Sequence, residues 1–592
     1  MNIRLKQAVV AALALGAAGS AAAVDISTVP TSNVLYASGS TAIDAALKAY
    51  FYNSVDATTP CDPTQVDTTS GAPVGATAST IDVYGQAASG AASKFTAVAC
   101  MSNKNLIDDG AGHSIPIAII KEDGAGSLNG VSAVQNIKFA GSPFTDGKLK
   151  FPTLSTMTPA NCGAGTSTTK SNLKTYFSHT CTSAVTASNI TPQLGFSDVE
   201  GTLFSKTDPT TPVLLDSGPS VQVVFAPAVN LGLYHALQAV EGLATSDGLA
   251  NMPSLSRPQL AAIFSGNVPT TGWSWIKGTN GKSVGTESVA FGVANTAACW
   301  TGTSTGTSCT TPGVSAVSDQ TMYICRRGYN SGTQISAEIY LDDKNCATGV
   351  YGVSDYISGT CVATNAANLT TAKNDGCAWI QSSGTLSAQN VWFASGTGDL
   401  LDCLAGHDAA GQFAIGFASI DNLSGAEQTT VKRQDFRYIK VDGEVPSIEN
   451  AAAGKYTFVA QSFWYAPPDT AAWSAGLASG TGALDLKKLI TNKPTLALTA
   501  ANNGIGTVSS VVGVNGASVL TTQGFNGGVL VIPGTNGAKA NVSTVNATGF
   551  ASNPVSSVTK LANDGATTSN CARPMPATNA TETTAGWPAY AP

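Results

Sequence analysis

Charge is what this chain has least of: 11% of its 592 residues are Asp, Glu, Lys or Arg, against roughly 25% in an average soluble domain. With 30 basic and 37 acidic residues and no Lys/Arg-rich run, nothing builds the positive field that captures a nucleic-acid backbone. DNA and RNA are therefore excluded as partners. Histidine is scarcer still. His113, His179, His235 and His407 are scattered, and with no Cys-x-x-Cys pair beside them they make no zinc site. None accompanies a strand-turn-helix nucleophile elbow, and Cys403-Leu-Ala-Gly-His407 lacks the haem-attachment spacing, so no metal, cofactor or catalytic residue is expected. Long apolar runs are missing too: no stretch of roughly 18 apolar residues occurs that would insert in a membrane.

What the chain does have is 43% hydrophobic residues, ample for a packed core and incompatible with a disordered acidic chain. Its length fits several domains or one bilobed α/β unit. The start, Met-Asn-Ile-Arg-Leu-Lys, is followed by apolar residues 8–18 and by Ala21-Ala22-Ala23. This reads as a secretory signal peptide over residues 1–23, and no Cys at the cleavage site invites a lipid anchor. Arg4 and Lys6 leave with it, so the mature chain carries a net charge of −9. The twelve cysteines then read as six disulfides formed outside the cytoplasm, in the periplasm or beyond the cell.

Residues 58–88, 159–187, 296–313 and 345–387 are rich in Gly, Ser, Thr and Ala and read as surface insertions. The last three each hold two or three cysteines, consistent with locally stapled loops, Cys299 with Cys309 being the preferred kind of link. Between them the pattern is α/β. A strand at 34–36 leads into a helix at 41–52, a strand at 220–227 leads into a helix at 231–243, and Ser256 caps a short helix ending at Gly266. Further buried strands are expected at 412–420 and 456–465. After residue 492 the texture turns to Gly/Asn/Thr/Val, either a small β-rich appendage or a loosely ordered tail.

The segment Ile324-Cys-Arg-Arg-Gly-Tyr-Asn-Ser-Gly-Thr-Gln334 precedes a helical pattern at 335–341. An Arg four residues ahead of Ser-Gly-Thr at a helix start suits an oxyanion: amides and the helix dipole point at it, hydroxyls donate, and the guanidinium neutralises charge. A Ser-capped helix beside an exposed Arg gives the same local sequence. Three other segments accompany it: Ala37-Ser-Gly-Ser-Thr-Ala42 at another helix start, the turn Gly124-Ala-Gly-Ser-Leu-Asn-Gly130, and Gly195-Phe-Ser-Asp-Val-Glu200 with an acid beside a small turn.

In this order the four segments resemble the class II periplasmic substrate-binding proteins, most closely the phosphate-binding proteins of bacterial ABC transporters. The similarity runs over residues 33–468 with insertions. It implies a two-lobed fold with mixed sheets, Cys-stapled loop insertions and a C-terminal Gly/Asn/Thr-rich extension. One lobe would take residues 24–229 and 456–491, the other 230–455, with 492–592 outside both. It implies a non-enzymatic role: capture of inorganic phosphate or a similar oxyanion between the lobes, for uptake through an ABC permease or for scavenging. Carried across position by position, Thr41, the Ala42 amide and Ser127 would hold ligand oxygens. Asp198 would accept a ligand proton, and Arg327, Ser331, Gly332 and Thr333 would bind from the other lobe. The chain departs from the pattern at Tyr329, where the family has the Asp that pairs with the Arg, and at Asn330, where it has Gly. The alternative is an extracellular structural or adhesive protein on the same scaffold, which the low charge and the tail also suit.

Overall fold

The computed structural model describes residues 24–44, 47–48, 51, 60–61, 81–86, 94–123, 126–135, 148–168, 176–199, 201–204, 215–265, 268–289, 315–316, 320–327, 331–342, 361–363, 374–380, 386–394, 396–409, 411–420, 422, 435–447, 450–451, 454–467, 482–492, 529–530, 558–559 and 575–576. The expected leader and Tyr329 lie outside them, as does most of the region after residue 492.

The fold is mixed α/β, organised on one long sheet whose middle is the 15-residue strand Asp216–Asn230. At about 3.3 Å per residue such a strand spans roughly 50 Å, enough to pair with different strands along its first and last parts. Its first part pairs antiparallel with Val459–Ala466, with an irregularity between Pro219 and Gln222, and its last part pairs antiparallel with Ala414–Ser419. Beyond Val459–Ala466 come Leu194–Ser197, Val34–Gly39, Pro116–Glu122, Phe95–Met101, Asp82–Gln86 and Tyr176–Cys181. Beyond Ala414–Ser419 come Met322–Arg327 and Leu386–Ala394, which run parallel to each other.

Near-continuous apolar runs explain why the inner strands are buried on both faces. In Val34-Leu-Tyr-Ala and Ile117-Ala-Ile-Ile, alternate side chains divide between two cores. Leu35, Ala37, Ile117 and Ile119 join the main one, while Val34, Tyr36, Ala118 and Ile120 face a second one completed by Phe151 and Met157.

Helices stop and start where local chemistry dictates. Asn230 accepts from the Leu233 amide at 3.3 Å to begin Leu231–Glu241, and Gly242 in the left-handed region (φ 72°) ends it. Ser256 and Gln259 exchange side-chain to backbone bonds at the start of Arg257–Ser265. The helix Gly482–Asn492 packs back on Val34–Gly39 and Pro116–Glu122.

Three disulfides join described cysteines: Cys61–Cys100, Cys162–Cys181 and Cys325–Cys403. The second is the local staple expected of an insertion. The first ties an insertion to a core strand, and the third bridges 78 residues between Met322–Arg327 and the helix Thr397–Ala409. The other six cysteines, Cys299 and Cys309 among them, lie outside the residues whose side chains are described. Of the region after residue 492, Val529–Leu530 adds to the long strand opposite Gln222 and Val223. No helix among the described residues is long and apolar enough to cross a membrane.

Candidate oxyanion site

Parallel neighbours in a sheet end side by side, and ligands of α/β sheets gather at those carboxyl ends. Val34–Gly39 is registered on Leu194–Ser197 with Gly39 opposite Phe196. Ser40 and Asp198, the residues just past the two strands, are thereby brought together. Gly39 (φ 108°) makes the approach possible, since a side chain there would run into the Phe196 carbonyl and the Gly130 backbone.

Asp198 is 3% exposed and collects hydroxyls. Ser40 donates to its Oδ1 in a short hydrogen bond, Ser127 donates to Oδ2 at 3.0 Å, and Ser462 donates to Oδ1 at 3.5 Å. Ser40 in turn accepts from the Ala42 amide at 3.1 Å, and Ser127 accepts from the Asp198 amide at 3.3 Å. Burial pushes the Asp198 carboxyl above the ordinary range, against the pull of Ser40, Ser127, Arg327 and Lys121.

Below this turn lies a second charged group. Lys121, 1% exposed, donates to the Gly39 carbonyl at 3.2 Å and pairs with Asp123 at 2.6 Å and Asp44 at 2.8 Å. Burial and the neighbouring Asp123 push Asp44 up to about 6, with Lys121 and Lys48 acting the other way. The ammonium fixes the carbonyl just before Ser40 and so the direction of the hydroxyl turn.

Another strand contributes a cation. Arg327 closes the strand Met322–Arg327, is 6% exposed, and donates from Nη1 to the Thr397 hydroxyl at 3.0 Å. Burial lowers its pKa to about 10, with Asp198 and Asp399 opposing the shift, so it remains a cation at neutral pH. Its neighbour Arg326 faces the opposite side of the strand, toward Glu338 at 3.7 Å.

Ser331 caps the helix Gly332–Asp342, its Oγ accepting from the Gln334 amide at 3.4 Å and its carbonyl from the Ile335 amide at 3.1 Å. Gly332 packs directly on the acid: a Cβ there would lie 2.5 Å from Ser127 Oγ and 2.7 Å from Asp198 Cβ. The positive end of that helix therefore abuts the buried acid.

Sequence-nominated residues thus converge. Ala42, Ser127, Asp198, Arg327, Ser331 and Gly332 fall in one buried cluster, with Thr333, 7% exposed, in the first turn behind Gly332. Thr41 is half-buried beside Ser40, its carbonyl accepting from the Asp44 amide at 3.1 Å. Sequence reasoning missed four participants. Ser40 was visible in the Ser-Gly-Ser-Thr string but passed over for Thr41. Thr397 and Asp399 stand in a Gly-Thr-Gly-Asp string of the kind that begins a helix. Ser462, inside a strand, has no local signature.

Cys325, Cys403 and His407 come within 4.8 Å of one another, but the two sulfurs are bonded to each other and are not thiolate ligands.

No protein-family model matches the chain, and no curated protein matches it. Among solved structures it is similar to an ABC-type phosphate transport receptor from Vibrio cholerae, at 13% identity and a TM-score of 0.24, over 51% of this chain and 78% of the other. It is also similar to a putative phosphate ABC transporter substrate-binding protein with bound phosphate from Clostridium perfringens, at 10% identity and a TM-score of 0.25, over 53% and 77%. Likeness at this level says nothing of what the present chain binds, and the site stands on its own geometry.

Proposed function

We propose that the protein is an exported, non-enzymatic solute-binding protein that captures one tetrahedral oxyanion, phosphate, between two lobes. The lobes are residues 24–229 with 456–491, and residues 230–455. The observation that carries this reading is the meeting of buried Asp198 and buried Arg327 from opposite halves, with Ser40, Ser127 and the N-terminus of Gly332–Asp342 around them.

The chemistry follows from donor and acceptor counting. Arg327, the hydroxyls and the helix amides offer hydrogen bonds to anion oxygens. Asp198 as a carboxylate can only accept, so it demands an anion that still carries a proton. Hydrogen phosphate supplies that proton and sulfate does not. Ser40 and Ser127 bond to Asp198, and rotation about one torsion each turns them to a ligand oxygen. An ABC permease fits as the recipient of the captured anion.

Calorimetric titration of the purified mature protein with phosphate and with sulfate tests the reading. Sites built around a required hydrogen bond reject an analogue lacking it by roughly 10⁴-fold. Phosphate should be preferred by a large factor, and Asp198→Asn should shrink that preference. Equal affinity for the two anions would defeat the assignment.

A further inference from the structure

The residues that set how Arg327 presents its charge come from a third element, the helix Thr397–Ala409. We infer that Thr397 and Asp399 are positioning residues of the oxyanion site: Thr397 fixes the Arg327 guanidinium, and Asp399 moderates its charge. This rests on the binding role proposed above and names its control.

Arg327 ends a strand that is parallel to Leu386–Ala394, with Arg327 opposite Ala394. The helix Thr397–Ala409 begins three residues after Ala394, and its first residue lies beside the guanidinium. There the Thr397 hydroxyl accepts from Nη1 at 3.0 Å, and Asp399 acts electrostatically on the same cation. Asp399 is itself held, because its Oδ2 accepts from the Gly396 amide at 3.2 Å in the manner of a helix-start carboxylate.

The seating is fixed covalently. Cys325 lies two residues before Arg327, on the same face of the strand, and is bonded to Cys403, six residues past the first residue of the helix. Helix and strand cannot slide past each other without breaking that bond. Asp198 and Asp399 thus both act electrostatically on Arg327. An incoming anion competes with Asp399 for the cation while Thr397 keeps the guanidinium in place.

The two roles differ in the sign of their effect, which a merely structural contact would not reproduce. Inorganic phosphate is titrated into wild type, Thr397→Val, Thr397→Ser and Asp399→Asn at two ionic strengths. Thr397→Val should weaken binding at least tenfold, about 1.4 kcal/mol, and Thr397→Ser should restore it. Asp399→Asn should tighten binding, by about threefold or more, because one like charge leaves the edge of the site. It should also make binding more salt-sensitive.

Weakening by Asp399→Asn, or loss in Thr397→Ser as deep as in Thr397→Val, would overturn the inference. Thermal unfolding of Arg327→Ala, Thr397→Val and the double variant needs no ligand and separates this inference from the binding role. Coupled losses support the pairing even if no phosphate binds, and strictly additive losses refute it.

Discussion

Asp198 is held neutral-prone by burial while Ser40, Ser127, Arg327 and Lys121 favour its charge, and burial prevails. Its folded pKa lies above the ordinary 3.8, so the native state keeps a proton over a range in which the unfolded chain has released it. Stability from this group is therefore present at low pH and lost as pH rises through the folded value. Asp198→Asn keeps the shape without the ionisation. Without ligand at neutral pH it should raise unfolding stability by about 1 kcal/mol, the usual scale of a stabilising substitution, with scanning calorimetry as the check. A fall in stability would mean that the charge is already balanced by its neighbours. In the proposed function the acid that lowers stability is also the selecting group, the trade expected of a binding residue.

At Gly332 the contact is steric rather than electrostatic. Gly332→Ala would drive a methyl carbon into Ser127 and Asp198, so the halves should separate and phosphate affinity should fall while the far-ultraviolet circular dichroism stays unchanged. Unaltered affinity would place the anion somewhere other than this seam. These residue-scale roles were only partly legible beforehand. Ser127, Asp198 and Arg327 announce themselves through small-residue turns next to strands. Ser462 and Thr397 reach the site through sheet order, which no local pattern encodes.

Among elements, the helix starts and most strands follow from short-range chemistry: apolar alternation, a Ser or Asn cap, a glycine stop. What local chemistry does not fix is pairing at a distance. The Cys325–Cys403 link spans 78 residues and joins elements separated by an insertion, so proximity in sequence favours nearer partners and misses it. Replacing both cysteines by Ala should cost about 2–5 kcal/mol of stability and weaken phosphate binding by freeing Thr397 from Arg327. Denaturant unfolding combined with calorimetry checks both effects, and lost stability with untouched affinity would deny the link its role at the site.

A second element-scale device lies far from the site. His179 on Tyr176–Cys181 faces Asp82 Oδ1 at 2.7 Å and the Gly163 carbonyl at 3.0 Å, and stacks on Tyr84. Two oxygen acceptors on the two ring nitrogens call for the imidazolium. Burial acts against that charge, but the bonds to Asp82 and Gly163 overcome it and the His179 pKa is raised. Its contribution is full below the unfolded value of about 6.5 and is lost as pH rises through the folded one. Amide exchange in Thr166–Thr168 and Tyr176–Cys181 should accelerate, beyond its intrinsic pH dependence, as pH is raised through that window. In His179→Gln the extra acceleration should vanish.

For the molecule as a whole, the proposed function rests on buried Arg327 acting on buried Asp198, a cation to neutralise an anion and an acid to select it. The long strand Asp216–Asn230 pairs along its first part with Val459–Ala466 and along its last part with Ala414–Ser419. A sequence reading reaches the mixed α/β class because apolar periodicity alternates between strand and helix along the chain. It does not reach the region beyond residue 492, where Gly, Asn and Thr repeats carry no periodicity to read. In the proposed function Arg327 and Asp198 clamp one phosphate, and comparing phosphate affinity of wild type with that of Arg327→Ala tests this most directly. Removing one partner of a buried charge pair costs about 2–5 kcal/mol, so Arg327→Ala should lose that much binding free energy. Binding that is absent in wild type, or a loss below about 0.5 kcal/mol, the ordinary scatter of surface substitutions, would contradict the account.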